Sequence, residues 1–237
     1  MLDDSIYDDE GARQMLKILT DPEESPERRA RAAVKLGPGL QSVDERMGWQ
    51  DPTVYFSEKV FEEIDSTFRS MYFDASTPEL VRRRILEAAV RCPRDWHEGA
   101  IRAAWQSDDL DWRATALFSM GHIPGFEEDI LTTLQRDDLP EDLLREAVRA
   151  AGFRGLGEAE PTVRRVALDD DVDTSIRLDA MEALIWCHGD ESEAALRQLI
   201  KHSDDEIADT AQWALGEIQM FNSLPDDLTD FDPESFF

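Results

Sequence analysis

LREAVRAAG, residues 144–152, is one of six nine-residue windows whose shared pattern decides the fold. The fourth position is Ala in five of the six windows, and the eighth position is apolar in all of them. These two positions lie on one face of an α-helix, so a recurring small residue there indicates that helices approach closely at the same place in each window. The other windows are RARAAVKLG (29–37), RRILEAAVR (83–91), RATALFSMG (113–121), RLDAMEALI (177–185) and ADTAQWALG (208–216).

A second amphipathic stretch lies between successive windows, which makes each repeat a pair of helices. Successive windows end 54, 30, 31, 33 and 31 positions apart, so the period is regular except across one long gap. Capping-box spacings predict three helix starts, at 76–79, 190–193 and 203–206, and no strand pattern competes. Pairs of Asp residues in the turns are predicted to cap helices.

We therefore predict an all-α chain, a right-handed α–α superhelix of the HEAT- or armadillo-like kind with about six to seven helix pairs. Residues 1–219 would form a single solenoid, with a degenerate or enlarged repeat at about 38–75, and residues 220–237 an acidic, partly apolar tail. A helix is predicted inside the degenerate repeat by apolar residues spaced by three and four, namely Phe61, Ile64, Phe68 and Met71.

These windows resemble the short HEAT-like repeats of bacterial proteins that were first noted in phycobilin lyases. The repeat unit of that family also begins near an acidic turn and runs through Arg, Ala and Leu to Gly. The resemblance covers roughly residues 21–219, and DASTPELVRRRILEAAVRCPRDWHEGAIRAAW (74–105) is similar to uncharacterised bacterial HEAT-repeat-containing proteins. It implies the fold and no particular activity.

The charge balance restricts the partners. The 237 residues carry 53 acidic and 25 basic side chains, a formal net charge of -28. Nucleic acid and anionic membranes are excluded as expected partners, because both are bound through Lys and Arg and repel an acidic field. The surplus of carboxylates is explained either by selection for a basic partner or by adaptation to a salty cytoplasm.

The sequence predicts a cytoplasmic protein that is monomeric on its own. The N-terminal residues lack the basic start and apolar stretch of a signal peptide, and no apolar run is long enough for a membrane helix. Cys92 and Cys187 have no CxxC partner, so we expect reduced, partly buried thiols.

No catalytic, cofactor-binding or metal-ligating residue is assigned. His97 and Glu98 form the His-Glu pair that deoxyhypusine hydroxylases use several times on a HEAT-like solenoid to hold iron, but the pair occurs here once. A calcium-loop beginning at 169–173 lacks the later Gly and Glu, and GFRGLG at 152–157 lacks the Lys-Ser/Thr of a phosphate loop.

The best candidate contact region is the arginine-rich stretch between residues 82 and 102 of an otherwise acidic chain, with Trp96, Trp105 and Trp112 nearby. Arg and Trp often dominate binding energies, although an outer solenoid face or a core explains them as well. The aromatic residues of the acidic tail are the second candidate, because such segments often become ordered on a partner. The candidate partner-binding residues are Arg83, Arg84, Trp96, His97, Trp105, Trp112, Phe231, Phe236 and Phe237.

The function predicted from this pattern is a non-catalytic scaffold or adaptor that binds another protein, and the acidic charge favours a partner with a basic segment. The alternatives are a lyase-like or metal-dependent enzyme or enzyme subunit built on HEAT repeats, and a mimic of nucleic acid in which carboxylates imitate phosphates.

Overall fold

The computed structural model describes residues 8–41, 56–187, 189 and 191–223, and within them twelve α-helices and no strand. The predicted all-α, repeated architecture is confirmed, and the chain is a helical-repeat solenoid. No helix among the described residues is long and apolar enough to cross a membrane. The helices are α1 (Asp9–Thr20), α2 (Pro26–Gln41), α3 (Glu58–Phe73), α4 (Glu79–Ala89), α5 (His97–Trp105), α6 (Leu110–Met120), α7 (Glu127–Leu134), α8 (Glu141–Phe153), α9 (Glu160–Leu168), α10 (Thr174–Trp186), α11 (Ser192–Leu199) and α12 (Asp205–Asn222).

The chain divides into two compact units, residues 1–107 and 108–237. In the first unit α1 packs against α2 and α3 against α4, while α2 lies beside α4 and α1 beside α3. In the second unit α6, α8, α10 and α12 lie side by side in one layer, and α7, α9 and α11 pack behind them. Each unit is thus a stack of helix pairs, as a period of about 31 residues requires.

Aspartates begin many of these helices. The carboxylates of Asp109, Asp173 and Asp204 accept hydrogen bonds from backbone amides in the first turns of α6, α10 and α12. This confirms the capping role predicted for the acidic turns. The three predicted capping boxes are each wrong by one or two positions. Helix α4 begins after Pro78 rather than after Ser76, α11 begins after Glu191 rather than after Asp190, and α12 is capped by Asp204 rather than by Ser203.

Close contacts between neighbouring helices explain the small residues of the windows. A Cβ added to Gly152 would lie 2.8 Å from the Cα and Cβ of Ala183, and one added to Gly121 would lie 3.1 Å from the Cα of Ala150. In both cases the ninth residue of one window meets the seventh residue of the next. The glycine therefore sets the distance between adjacent helices of the layer.

The same contact corrects the register of the second window. A Cβ added to Gly37 would lie 3.3 Å from the Cα of Ala88, and Ala88 is the seventh position only if that window begins at Arg82 rather than at Arg83. A repeated hydrogen bond agrees, because the Nε of Arg29, Arg82 and Arg177 each donates to a backbone carbonyl ten residues earlier. The sequence permitted either register because both place apolar residues on the buried face.

The degenerate repeat contains the predicted helix. Phe61, Ile64 and Phe68 are buried in α3, and Met71 is partly exposed. Residues 42–55 lie outside the described residues. The segment assigned to the tail begins within α12, and residues 224–237 are also outside the described part of the chain.

Candidate interaction grooves

The partly exposed members of the candidate contact set lie in the first unit. Arg83 and Arg84 are on α4, and Trp105 ends α5. Arg84 forms an ion pair with Glu87 one turn later in the same helix. The tail candidates lie outside the described residues: Phe231, Phe236 and Phe237.

Three other candidates are buried. Trp96 is 6 %, His97 0 % and Trp112 8 % exposed. The Trp96 ring lies edge-on to the His97 ring at 4.1 Å between centroids and 5.2 Å from the ring of Tyr72. Their place is therefore in the packed interior, and they offer no face to a partner.

His97 is held neutral by its surroundings. The backbone N–H of Arg94 donates to Nδ1 at 3.0 Å, so the ring proton lies on Nε2, which has no hydrogen-bond partner among the described residues. Burial, followed by the positive charge of Arg94, lowers the pKa of His97 to about 4, and Asp95 opposes this only weakly. Glu98 points elsewhere and pairs with Arg102 at 3.1 Å. The described residues contain no group of three His, Cys, Asp or Glu side chains that could hold a metal.

A groove with a volume of about 120 Å³ lies between α8 and α10 in the second unit. The close contact of Gly152 with Ala183 forms the floor of the groove, and two aromatic side chains flank this floor. We call it the aromatic groove, and its lining residues are Arg149, Gly152, Phe153, Asp179, Glu182, Ala183 and Trp186.

Helix geometry brings these residues together. In α8 the lining positions are separated by three and four residues, and the same holds in α10, so each set forms one stripe along its helix. Trp186 ends α10 with 41 % of its surface exposed and packs against Phe221 of α12 at 5.3 Å between ring centroids. A large aromatic surface is therefore held open to solvent beside a narrow floor.

The charges in the aromatic groove are unequal. The Nε of Arg145 donates to Asp179 at 2.6 Å across the two helices, and Arg149 pairs with Glu146 at 3.4 Å within α8. Glu182 has no such partner within the groove: burial, followed by the negative charge of Asp179, raises its pKa, while Arg149 lowers it in part. A cation entering the groove would relieve this unfavourable environment.

The surface of the first unit that corresponds to it by window position lies on α2 and α4. With the corrected register, the same window positions carry a different set of side chains, and they surround the contact of Gly37 with Ala88. We call it the arginine surface, and its residues are Val34, Gly37, Pro38, Arg84, Glu87, Ala88 and Arg91.

Sequence reasoning missed the aromatic groove because the windows were cut after nine residues. The tenth position, just beyond each window, carries His122, Phe153 and Trp186 in three successive repeats of the second unit. His122 lies 5.0 Å from Phe153 between ring centroids. An aromatic residue recurring at one repeat position was the signal that could have identified this face.

No family model and no curated protein matches the sequence. Solved structures with a similar fold include a designed armadillo repeat protein, with 18 % identity over 86 % of this chain and 98 % of that chain at a TM-score of 0.44. Human deoxyhypusine hydroxylase in complex with glycerol has 14 % identity over 90 % of this chain and 75 % of that chain at a TM-score of 0.46. A crystallised engineered protein has 16 % identity over 88 % and 98 % at a TM-score of 0.48. The functions of these proteins are not carried over to this chain.

Proposed function

We propose that this protein is a non-catalytic interaction scaffold of the HEAT-like, bacterial kind, working in the cytoplasm, and that the aromatic groove binds a basic segment of a protein partner. The observation that carries the proposal is the meeting of Trp186 and Phe153 with Asp179 and Glu182 over a floor of small residues. Aromatic faces and carboxylates together suit a Lys or Arg side chain.

The electrostatics of the groove favour such a partner. Glu182 is a carboxylate whose ionisation is disfavoured by burial and by Asp179. An incoming ammonium or guanidinium group would supply the missing countercharge, and the chain's net charge of -28 would accelerate its approach at low salt. The aliphatic stem of the same side chain would cover Trp186, which is 41 % exposed.

The test begins with a displayed library of random peptides selected against the whole protein. We expect selected sequences rich in Lys and Arg, with few acidic residues. A synthetic peptide of the selected sequence is then titrated into the protein by calorimetry. The double variant Glu182→Gln, Trp186→Ala should bind it at least about tenfold more weakly, since central aromatic and charged contacts dominate such interfaces.

Trp213→Ala is the matched control, because Trp213 is 49 % exposed in α12 of the same unit and does not line the groove. It should leave the affinity within about twofold of the parent. Selection of acidic or uncharged peptides would overturn the proposal, and so would unchanged binding by the double variant when circular dichroism shows that it is folded.

A further inference from the structure

Helix α12 exposes a stripe of four residues along one side. Trp213 is 49 % and Met220 50 % exposed, and Asp209 and Gly216 are exposed as well. Spacings of four, three and four residues place them on the same side of the helix. Apart from the backbone of α12 itself, no heavy atom of the described residues lies within 4 Å of a Cβ added to Gly216. We call these four residues the α12 face, and such a cluster of exposed apolar side chains is typical of an interaction site.

The repeat indicates what the α12 face can bind. It contains the second, sixth and ninth window positions of α12, and in α8 these positions contact the next helix of the layer. In α8 the second position, Arg145, pairs with Asp179 of α10, and the ninth, Gly152, meets Ala183 of α10. The glycine at the end of α6 meets an alanine of α8 in the same way. The α12 face therefore has the geometry to receive a further helix, with a small residue opposite Gly216.

The charge of α12 determines which kind of helix fits. Neither Lys nor Arg occurs in it, and it carries four carboxylates, Asp205, Glu206, Asp209 and Glu217. The second window position is Asp209 in α12 and Arg145 in α8, so the residue opposite Asp209 should be basic, where α10 has Asp179. Residues 224–237 carry five carboxylates and no cation, so their charge opposes binding to this face.

We propose that the α12 face binds a basic, amphipathic helix of a partner protein, which packs there as α10 packs on α8. A small residue of that helix lies against Gly216, an Arg or Lys side chain pairs with Asp209, and apolar side chains cover Trp213 and Met220. The α12 face is separate from the aromatic groove, and this inference does not depend on the proposed function of that groove.

The test uses a helical peptide of residues 173–187, which contain α10. A hydrocarbon staple holds the peptide in the helical form, because so short a helix is unstable alone. The basic form of the peptide carries Asp179→Arg and Glu182→Lys, and the acidic form keeps the natural sequence. Fluorescence anisotropy should show that the full chain binds the basic form at least about tenfold more tightly than the acidic form.

Two variants of the protein locate the contact. Asp209→Arg should reduce the preference for the basic form to about threefold or less. Gly216→Ala should weaken binding of the basic form at least about fivefold, because the added Cβ takes the place of the partner's small residue. This variant should unfold at no lower urea concentration than the parent, since the space around Gly216 is open. A position with only a structural role would not combine undiminished stability with weaker binding.

Asp137→Arg is the matched control. It makes the same change in charge at an exposed position in the turn before α8, and α8 is separated from α12 by α10 in the layer. It should leave the affinity for the basic form within about twofold of the parent. Glu182→Gln should also bind this form as the parent does, so failure of the aromatic groove and failure of the α12 face can be distinguished.

Four outcomes would overturn the proposal. The basic form could bind no more tightly than the acidic form, or the folded variants Asp209→Arg and Gly216→Ala could both bind it as the parent does. A chain ending at Ser223 that binds the basic form at least about tenfold more tightly than the full chain would assign the α12 face to residues 224–237. A full chain that is dimeric by light scattering, and monomeric with Gly216→Ala, would assign it to a second copy.

Discussion

The arginine surface and the aromatic groove occupy the same repeat positions and differ in nearly every side chain that faces outward. Both contain a contact of Gly with Ala, Gly37 with Ala88 and Gly152 with Ala183. Around this contact the arginine surface places Arg84 and Arg91, and the aromatic groove places Asp179 and Trp186 at the equivalent positions. The repeat fixes the distance between helices and leaves the outward positions free to change.

The difference extends through the layers that hold the two surfaces. Helices α2 and α4 carry seven basic and three acidic side chains, whereas α6, α8, α10 and α12 carry four basic and ten acidic ones. The net charge of the whole chain does not show this difference between the two layers. The layer of α2 and α4 and the layer of α6, α8, α10 and α12 therefore offer opposite charges to a partner, which favours two different ligands rather than one.

The largest expected effect is a loss of stability at low pH in the first unit and not in the second. His97 of the first unit has a pKa of about 4 in the fold and about 6.5 unfolded, so the unfolded chain binds a proton in this interval. The contribution of His97 to the unfolding free energy is complete above pH 6.5. As the pH falls toward 4, the unfolding free energy decreases by about 3 kcal/mol. Hydrogen exchange resolved by segment, corrected for intrinsic rates, should show the first unit losing protection and the second unit keeping it.

His97→Asn keeps an acceptor for the Arg94 amide and cannot titrate, so its stability should depend much less on pH in this interval. If His97→Asn and the parent lose stability equally between pH 6.5 and 4, the burial of a neutral imidazole does not govern the acid sensitivity of the first unit.

The second effect concerns the groove floors. Gly152→Ala would place a Cβ 2.8 Å from the backbone of Ala183, so the helices must move apart, and we expect a loss of about 2 kcal/mol in unfolding free energy. Gly216 occupies the same window position in the last repeat with nothing within 4 Å. Gly216→Ala should therefore stabilise the protein by about 0.5–1 kcal/mol, because Ala is the better helix former.

Urea unfolding measures both changes, and the two buried cysteines report where they act. Cys92 lies in the first unit and Cys187 in the second, where burial raises the thiol pKa to about 12. Gly152→Ala should accelerate modification of Cys187 by a thiol reagent and leave the rate at Cys92 unchanged. Equal signs for the two glycine variants would refute the idea that the ninth position sets the helix spacing.

A smaller effect is expected from the ion pair beside the aromatic groove. Arg145 and Asp179 join α8 to α10 at 2.6 Å, and both side chains are partly exposed. A double-mutant cycle with Arg145→Ala and Asp179→Ala should give a coupling of about 1 kcal/mol. The same cycle on Arg102 and Glu98, an exposed pair within α5, should give about 0.3 kcal/mol. Equal coupling energies would mean that the ion pair between α8 and α10 stabilises the protein no more than an exposed pair within one helix does.

The smallest effect is the pH dependence of ligand binding. The pKa of Glu182 is raised above 4.5 by burial and Asp179, with Arg149 opposing. The charge of Glu182 is complete at neutral pH and is lost as the pH falls through this raised pKa, so a basic peptide should bind about threefold more weakly at mildly acidic pH. The affinity of Glu182→Gln for the peptide should not change with pH in this way. If its pH dependence equals that of the parent, another titrating group is responsible.

Several parts of the fold were accessible from the sequence. The spacing of apolar residues predicted the helix containing Phe61, Ile64 and Phe68, and the acidic turns predicted the caps at Asp109 and Asp204. These features depend on groups a few residues apart, whose geometry the helix itself fixes. Whether a tryptophan is exposed could not be predicted in this way, because Trp96 and Trp112 are buried in the folded chain.

By itself, the sequence determined that the chain folds into paired helices with a period of about 31 residues and that it is strongly acidic. The tertiary structure alone decided that the second window begins at Arg82, that Trp186 rather than Trp96 is exposed, and which window positions lie beside the Gly–Ala contacts. The physical reason is range: a helix is specified by neighbours within one or two turns, whereas a register or a groove exists only when residues of different helices come into contact.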